Sequence, residues 1–226
     1  MAKHEEEIVL APGAEPAADP NLVLRVAVAA AEYGLPIAPG TLRNLKKCPI
    51  GDRNWTDESR ELFIRLLASG PALLNVWEDI DFIDVPGKLI PEWLGVRNRP
   101  SASAAHRYTI DRHMVEVVTR LGRETPSGGR YDDRHYEALL LAGILHDIGK
   151  RPGVANHAAE GARHATVVVE RMGFDRDIVR WVTLLVREHL TLSEFTTAAI
   201  PMIPTSAMIW PAGSTIIPCC STCCST

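Results

Sequence analysis

Residues 138–150 read ALLLAGILHDIGK, and this stretch decides the fold. From Ala138 to Leu145 every residue is apolar or small, so a helix over about Arg134–Asp147 is nearly all apolar through this run. Such a helix belongs at the centre of a helical bundle, because no side of it can face water. It ends on adjacent His146 and Asp147, which set an imidazole beside a carboxylate. A divalent cation takes such a mixed nitrogen and oxygen set. Gly149 lets the backbone turn sharply away, and Lys150 can then point toward an anionic substrate. An isolated His-Asp pair also fits a solvated helix end, so the site reading needs further ligands elsewhere in the chain.

Those ligands are available. Seven of the eight histidines fall between residues 106 and 189. His113 lies at the edge of the apolar face of a helix expected over Ile110–Leu121, led by Thr109 as a possible cap. His157 precedes a helix over Ala158–Met172, and His189 ends one over Asp175–Leu190. His113, His146, Asp147, His157 and His189 together form a candidate metal cluster. His164, amid Ala162, Ala165 and Val168, reads better as a structural residue, and His106 and His135 read as residues leading into helices.

Upstream, apolar spacing predicts helices over Leu22–Tyr33, ended by Gly34, over Pro39–Leu45, over Trp55–Ser69 with Thr56 as N-cap, and over Leu73–Ile80. Asp19 or Asn21 can cap the first. Strand patterns are confined to Ile8–Leu10 and Phe82–Val85, so the fold class is all-α. Residues 1–20 read as an extended, disordered lead-in, and 126–129 and 151–153 as loops. The net charge of −4 argues against bulk nucleic-acid binding, and the longest apolar runs fall far short of the ~20 residues of a membrane span. With Glu5, Glu6 and Glu7 in place of an apolar leader, the chain is expected in the cytoplasm.

Residues 195–226 contain no Asp, Glu, Lys, Arg or His and show no period. Cys219, Cys220, Cys223 and Cys224 crowd together there without the second, separated pair that a structural zinc site draws on.

The order His113, His146-Asp147, His157 and His189 resembles the HD superfamily of metal-dependent phosphohydrolases. A finer resemblance is to the bacterial PII uridylyltransferase/uridylyl-removing family, carried by IPEW at 90–93, HRYTIDRH at 106–113, LHDIGK at 145–150 and LVREHL at 185–190. It covers about residues 20–194. It implies an all-helical HD domain over 101–194, incomplete, after a smaller helical linker region over 21–100. It also implies phosphodiester hydrolysis with Mg2+ or Mn2+: UMP, or AMP as in actinobacterial relatives, is removed from the nucleotidylated PII signal protein. His113, His146 and Asp147 would hold one ion, and His157 and His189 a second ion or the phosphate. His146, Asp147 and Lys150 would be the catalytic residues.

The chain departs from that family in having no nucleotidyltransferase signature, no ACT domains and no Asp or Glu beyond Glu194 to serve as the later acidic ligand. The tail suggests a cause. AIPMIP at 199–204 becomes Asp-Pro-Asp-Asp-Pro when GC-rich codons are shifted by one base, so residues after about Thr196 read as out-of-frame translation. Two other readings stay open: an HD hydrolase of free nucleotides or alarmones, and a non-catalytic helical fragment.

Overall fold

The computed structural model describes residues 2–4, 6–50, 55–101, 108–122 and 133–191. The 126–129 loop, His106 and the 195–226 tail lie outside the described residues. Within them the fold is all-α, as the apolar spacing predicts. It contains α1 (Leu22–Tyr33), α2 (Pro39–Leu45), α3 (Asp57–Leu67), α4 (Ala72–Phe82), α5 (Val85–Leu89), a 3₁₀ turn (Pro91–Gly95), α6 (Ile110–Leu121), α7 (Asp133–Leu145), α8 (His157–Arg171) and α9 (Arg176–Glu188). Among the described residues no helix is long and apolar enough to cross a membrane.

The apolar run sets the centre. Leu140, Leu141, Ile144 and Leu145 of α7 are fully buried, and burying each such side chain contributes about 1.5–3 kcal/mol. α6, α8 and α9 pack around α7. α9 shows the opposite pattern, a single buried stripe of Ile178, Val182 and Val186 with Leu184 and Leu185 on its outer side. α1 packs on α3 and α4, and the pairs α4–α6 and α3–α7 join this helical group to the histidine-bearing one in a single core.

Local chemistry fixes the helix ends. The Thr56 hydroxyl accepts from the Ser59 amide while the Ser59 hydroxyl faces the Thr56 amide, a capping box at the start of α3. Asp175 accepts from the amides of Asp177 and Ile178, and Asn156 from that of Ala159. Gly34 closes α1 at φ 64°, a conformation that costs glycine little. Asn21 precedes α1 without a side-chain cap. It donates instead to Glu58 (2.7 Å) and accepts from the Ser59 hydroxyl (2.8 Å), tying α1 to α3. Thr109 likewise leads α6 without a side-chain cap.

Two expectations are corrected. Phe82–Val85 is not a strand: α4 runs through Phe82, Asp84 turns the chain at φ 63°, and Pro86 helps start α5. The lead-in is extended but not free. Strands β1 (Ala2–His4) and β2 (Glu7–Val9) pair antiparallel, and Ile8 is 2% exposed. The Ile8 amide donates to the Pro36 carbonyl (2.9 Å) and its carbonyl accepts from Ala38 (3.1 Å). A single β-branched residue seeking burial is a weak signal in a Pro- and Gly-rich segment.

Two contacts position α8. Gly149 lies so close to the start of that helix that an added Cβ would stand 2.3 Å from both the Gly161 amide nitrogen and the His157 carbonyl oxygen. Its freedom serves close backbone approach rather than an unusual φ. At the far end, the Glu92 carboxylate accepts from Arg171 in a two-pronged pair (2.7 and 2.9 Å), and the Glu92 carbonyl accepts from Arg151 (2.9 Å).

Gly149→Ala is therefore expected to destabilise the fold by about 2–3 kcal/mol through overpacking. Gly153→Ala, at φ 80° with open space around it, should cost only about 1 kcal/mol. Urea unfolding compares them, and equal losses would refute the close-approach argument. Burial pushes the Glu92 carboxyl up, but the Arg171 pair outweighs it and leaves it below the ordinary 4.5. Its stabilising effect is full above that value and is lost as pH falls through the lowered one. Glu92→Gln should thus flatten the fall of the melting temperature below pH 4.5.

Candidate metal centre

The centre is built on Asp147, which follows the buried α7 and is itself 1% exposed. A bare carboxylate at such depth is costly and needs compensation. α6, α8, α9 and the end of α7 with its following turn bring it. His146 Nε2 stands 3.4 Å and His113 Nε2 3.9 Å from Asp147 Oδ2, with Lys150 Nζ at 2.6 Å from the same oxygen. His189 Nε2 and His157 Nε2 lie 3.4 and 4.0 Å from Oδ1. The structure brings together all five side chains of the candidate cluster.

Backbone carbonyls aim two of the rings. His146 Nδ1 bonds the Gly143 carbonyl (2.8 Å) and His189 Nδ1 the Val186 carbonyl (2.7 Å). Each histidine sits just past the last residue of its helix and reaches the carbonyl three residues back. With Nδ1 donating to a carbonyl, Nε2 is the ring atom left on the Asp147 side. This orientation was not read from the sequence, although a histidine at a helix end with a free carbonyl at i−3 is a recognisable signal. His157 enters as the first residue of α8, held there by the Gly149–Gly161 approach.

Burial alone would raise the Asp147 carboxyl, but His146, His189 and the Lys150 ammonium hold it well below the usual carboxylate range. Burial and the Lys150 charge lower His157. Burial also works to lower His189, yet Asp147 and the Val186 carbonyl raise it.

The remaining histidines behave differently. His164 is 8% exposed and faces Glu160 at 3.0 Å, away from the cluster. His135 stacks on Trp181, with ring centroids 4.2 Å apart. Lys150 Nζ donates to Asp147 Oδ2 (2.6 Å).

The residues fit a divalent cation. His113, His146 and Asp147 offer ligand atoms within 4.8 Å of one another, and so do Asp147, His157 and His189. Asp147 Oδ1, His157 Nε2 and His189 Nε2 are buried and make no hydrogen bond. Orphaned groups of this kind call for a partner of another sort.

No family model matches the chain. It is similar to the bifunctional uridylyltransferase/uridylyl-removing enzyme of Mycobacterium tuberculosis, with 38% identity over 193 residues, 85% of this chain and 23% of the relative. The enzyme of the same name from Streptomyces coelicolor is 38% identical over 87% of this chain and 23% of the relative. That of Corynebacterium glutamicum is 32% identical over 78% and 25%. The chain spans about a quarter of the length of these curated relatives. The similarities support the bifunctional uridylyltransferase/uridylyl-removing enzymes as the family of this chain.

Proposed function

We propose that residues 101–194 form an HD-type, metal-dependent phosphodiester hydrolase. In this reading it removes UMP or AMP from a tyrosine of the PII signal protein, acts in the cytoplasm, and follows a helical linker region over 21–100. The observation that carries the reading is the set of unsatisfied donor atoms of Asp147, His157 and His189 facing one another beside His113 and His146. The relatives' names supply the uridylyl-removing chemistry, and the family resemblance supplies PII as partner.

Within this reading His113, His146 and Asp147 hold one divalent cation, and His157 and His189 hold a second or receive the phosphate. A cation bound there supplies a Lewis acid that acidifies water and offsets charge on the phosphoryl oxygens. The protein's own contribution is placement. The Gly143 and Val186 carbonyls fix the imidazole tautomers, and the Gly149–Gly161 approach fixes the position of His157. The lowered pKa of His157 keeps its imidazole neutral, as a ligand or a phosphate-facing donor requires. Lys150, 21% exposed beside Asp147, offers an ammonium to the anionic phosphodiester. Net hydrolysis breaks the phosphorus–tyrosyl oxygen bond, adds water and returns the tyrosine hydroxyl.

Calorimetric titration with Mn2+ and release of nucleotide from uridylyl- and adenylyl-PII test the reading together. Asp147→Asn should weaken Mn2+ binding by about a hundredfold or more and abolish release. Lys150→Met removes a cation that competes for Asp147 Oδ2. It should bind Mn2+ more tightly while releasing nucleotide more slowly. Mn2+ binding with hydrolysis of free nucleotides or alarmones but none of nucleotidyl-PII would assign a different HD hydrolase. Absence of Mn2+ binding, with His146→Ala silent, would assign a non-catalytic fragment.

A further inference from the structure

Away from the metal centre, a small cavity of about 60 Å³ opens between α1, the start of α3, α5, the 3₁₀ turn and the end of α8. No residue of the metal cluster lines it. A single water needs only about 10–15 Å³, so the cavity holds a ligand of roughly four to six non-hydrogen atoms.

Much of its lining is apolar. Leu24, Leu89 and Pro91 form part of it, beside the Trp55 ring, which meets Phe63 edge-on with centroids 5.5 Å apart. Three polar side chains complete it, and two of them are already matched. The Ser59 hydroxyl donates to Asn21 (2.8 Å) and lies 2.9 Å from that of Thr56. The Arg171 charge is met by Glu92 through both terminal nitrogens. The third is Lys88, whose ammonium makes no hydrogen bond and no ion pair among the described residues. The Trp55 indole N–H also lacks an acceptor among the described residues. Neither donor is sealed in the core as the indole nitrogens of Trp77 and Trp93 are, so both stay open to a ligand. One unmatched positive charge and one unmatched neutral donor therefore belong to the walls of a mostly apolar cavity.

We propose that this cavity binds a small monocarboxylate with a short alkyl chain. The carboxylate meets the Lys88 ammonium in a charge-assisted hydrogen bond and accepts from the Trp55 indole N–H. The alkyl chain leaves water for Leu24, Leu89 and Pro91. An uncharged amide of the same size would leave the Lys88 charge unmatched. A phosphate dianion would bring a second negative charge, for which the lining offers only Arg171, already held by Glu92. The site is independent of the hydrolase reading, since it shares no residue with the metal cluster.

Butyrate, butyramide and inorganic phosphate, each titrated into the full chain with EDTA present and at constant ionic strength, test this by calorimetry and tryptophan fluorescence. Butyrate should bind saturably, and the other two about tenfold more weakly or not at all. Lys88→Met keeps the aliphatic stem and removes the charge, and should weaken butyrate about tenfold or more. Trp55→Phe keeps a ring and removes the donor, and should weaken it severalfold. Lys150→Met should leave butyrate binding unchanged, which separates this cavity from the ammonium at the metal centre. The comparison of three ligands on the unaltered chain stands whether or not a variant folds. Absence of butyrate binding, equally tight binding of butyramide or phosphate, or a loss in Lys150→Met but not in Lys88→Met would overturn the proposal.

Discussion

Burying one carboxylate governs the histidine-bearing half of this chain. Asp147 cannot leave the core, because it follows closely on the buried apolar run that ends α7. Nor can it stay there bare, because the cost of desolvating an isolated charge runs to several kcal/mol. α6, α8 and α9 each bring at least one group to it, and the turn after α7 adds Lys150. Helix placement and charge compensation are therefore one problem with one solution. The small residues at the crossings follow from it: Gly149 and Gly161 let backbones meet where side chains would hold α8 away.

Much of this was legible in the residues. The unbroken apolar run in 138–145 announced a central helix, whereas the one-sided stripe of Ile178, Val182 and Val186 emerged only from the structure. Helix ends marked by Thr56, Gly34 and Asp175 were readable because each carries a specific hydrogen-bonding or backbone preference. Phe82–Val85 misled because β-branched residues favour strands only when a partner strand exists, and Asp84 with Pro86 turned the chain first. The docking of Ile8 was illegible for a related reason: it depends on a contact with Pro36 and Ala38, which no local pattern encodes.

For the centre, the sequence offered candidate side chains but not their arrangement. That both Asp147 oxygens would be used, each facing a different pair of histidines, is a property of four helices meeting at one depth.

The direction in which the helices run adds a contribution that no side chain makes. α7 and α9 both end where their histidines begin, so the negative ends of two aligned stacks of peptide dipoles converge there. α8 instead starts at the site with His157, presenting its positive end. The main chain thus sorts the floor of the pocket into a wall suited to cations and a wall suited to anions. That polarity would persist through any substitution that preserved the helices.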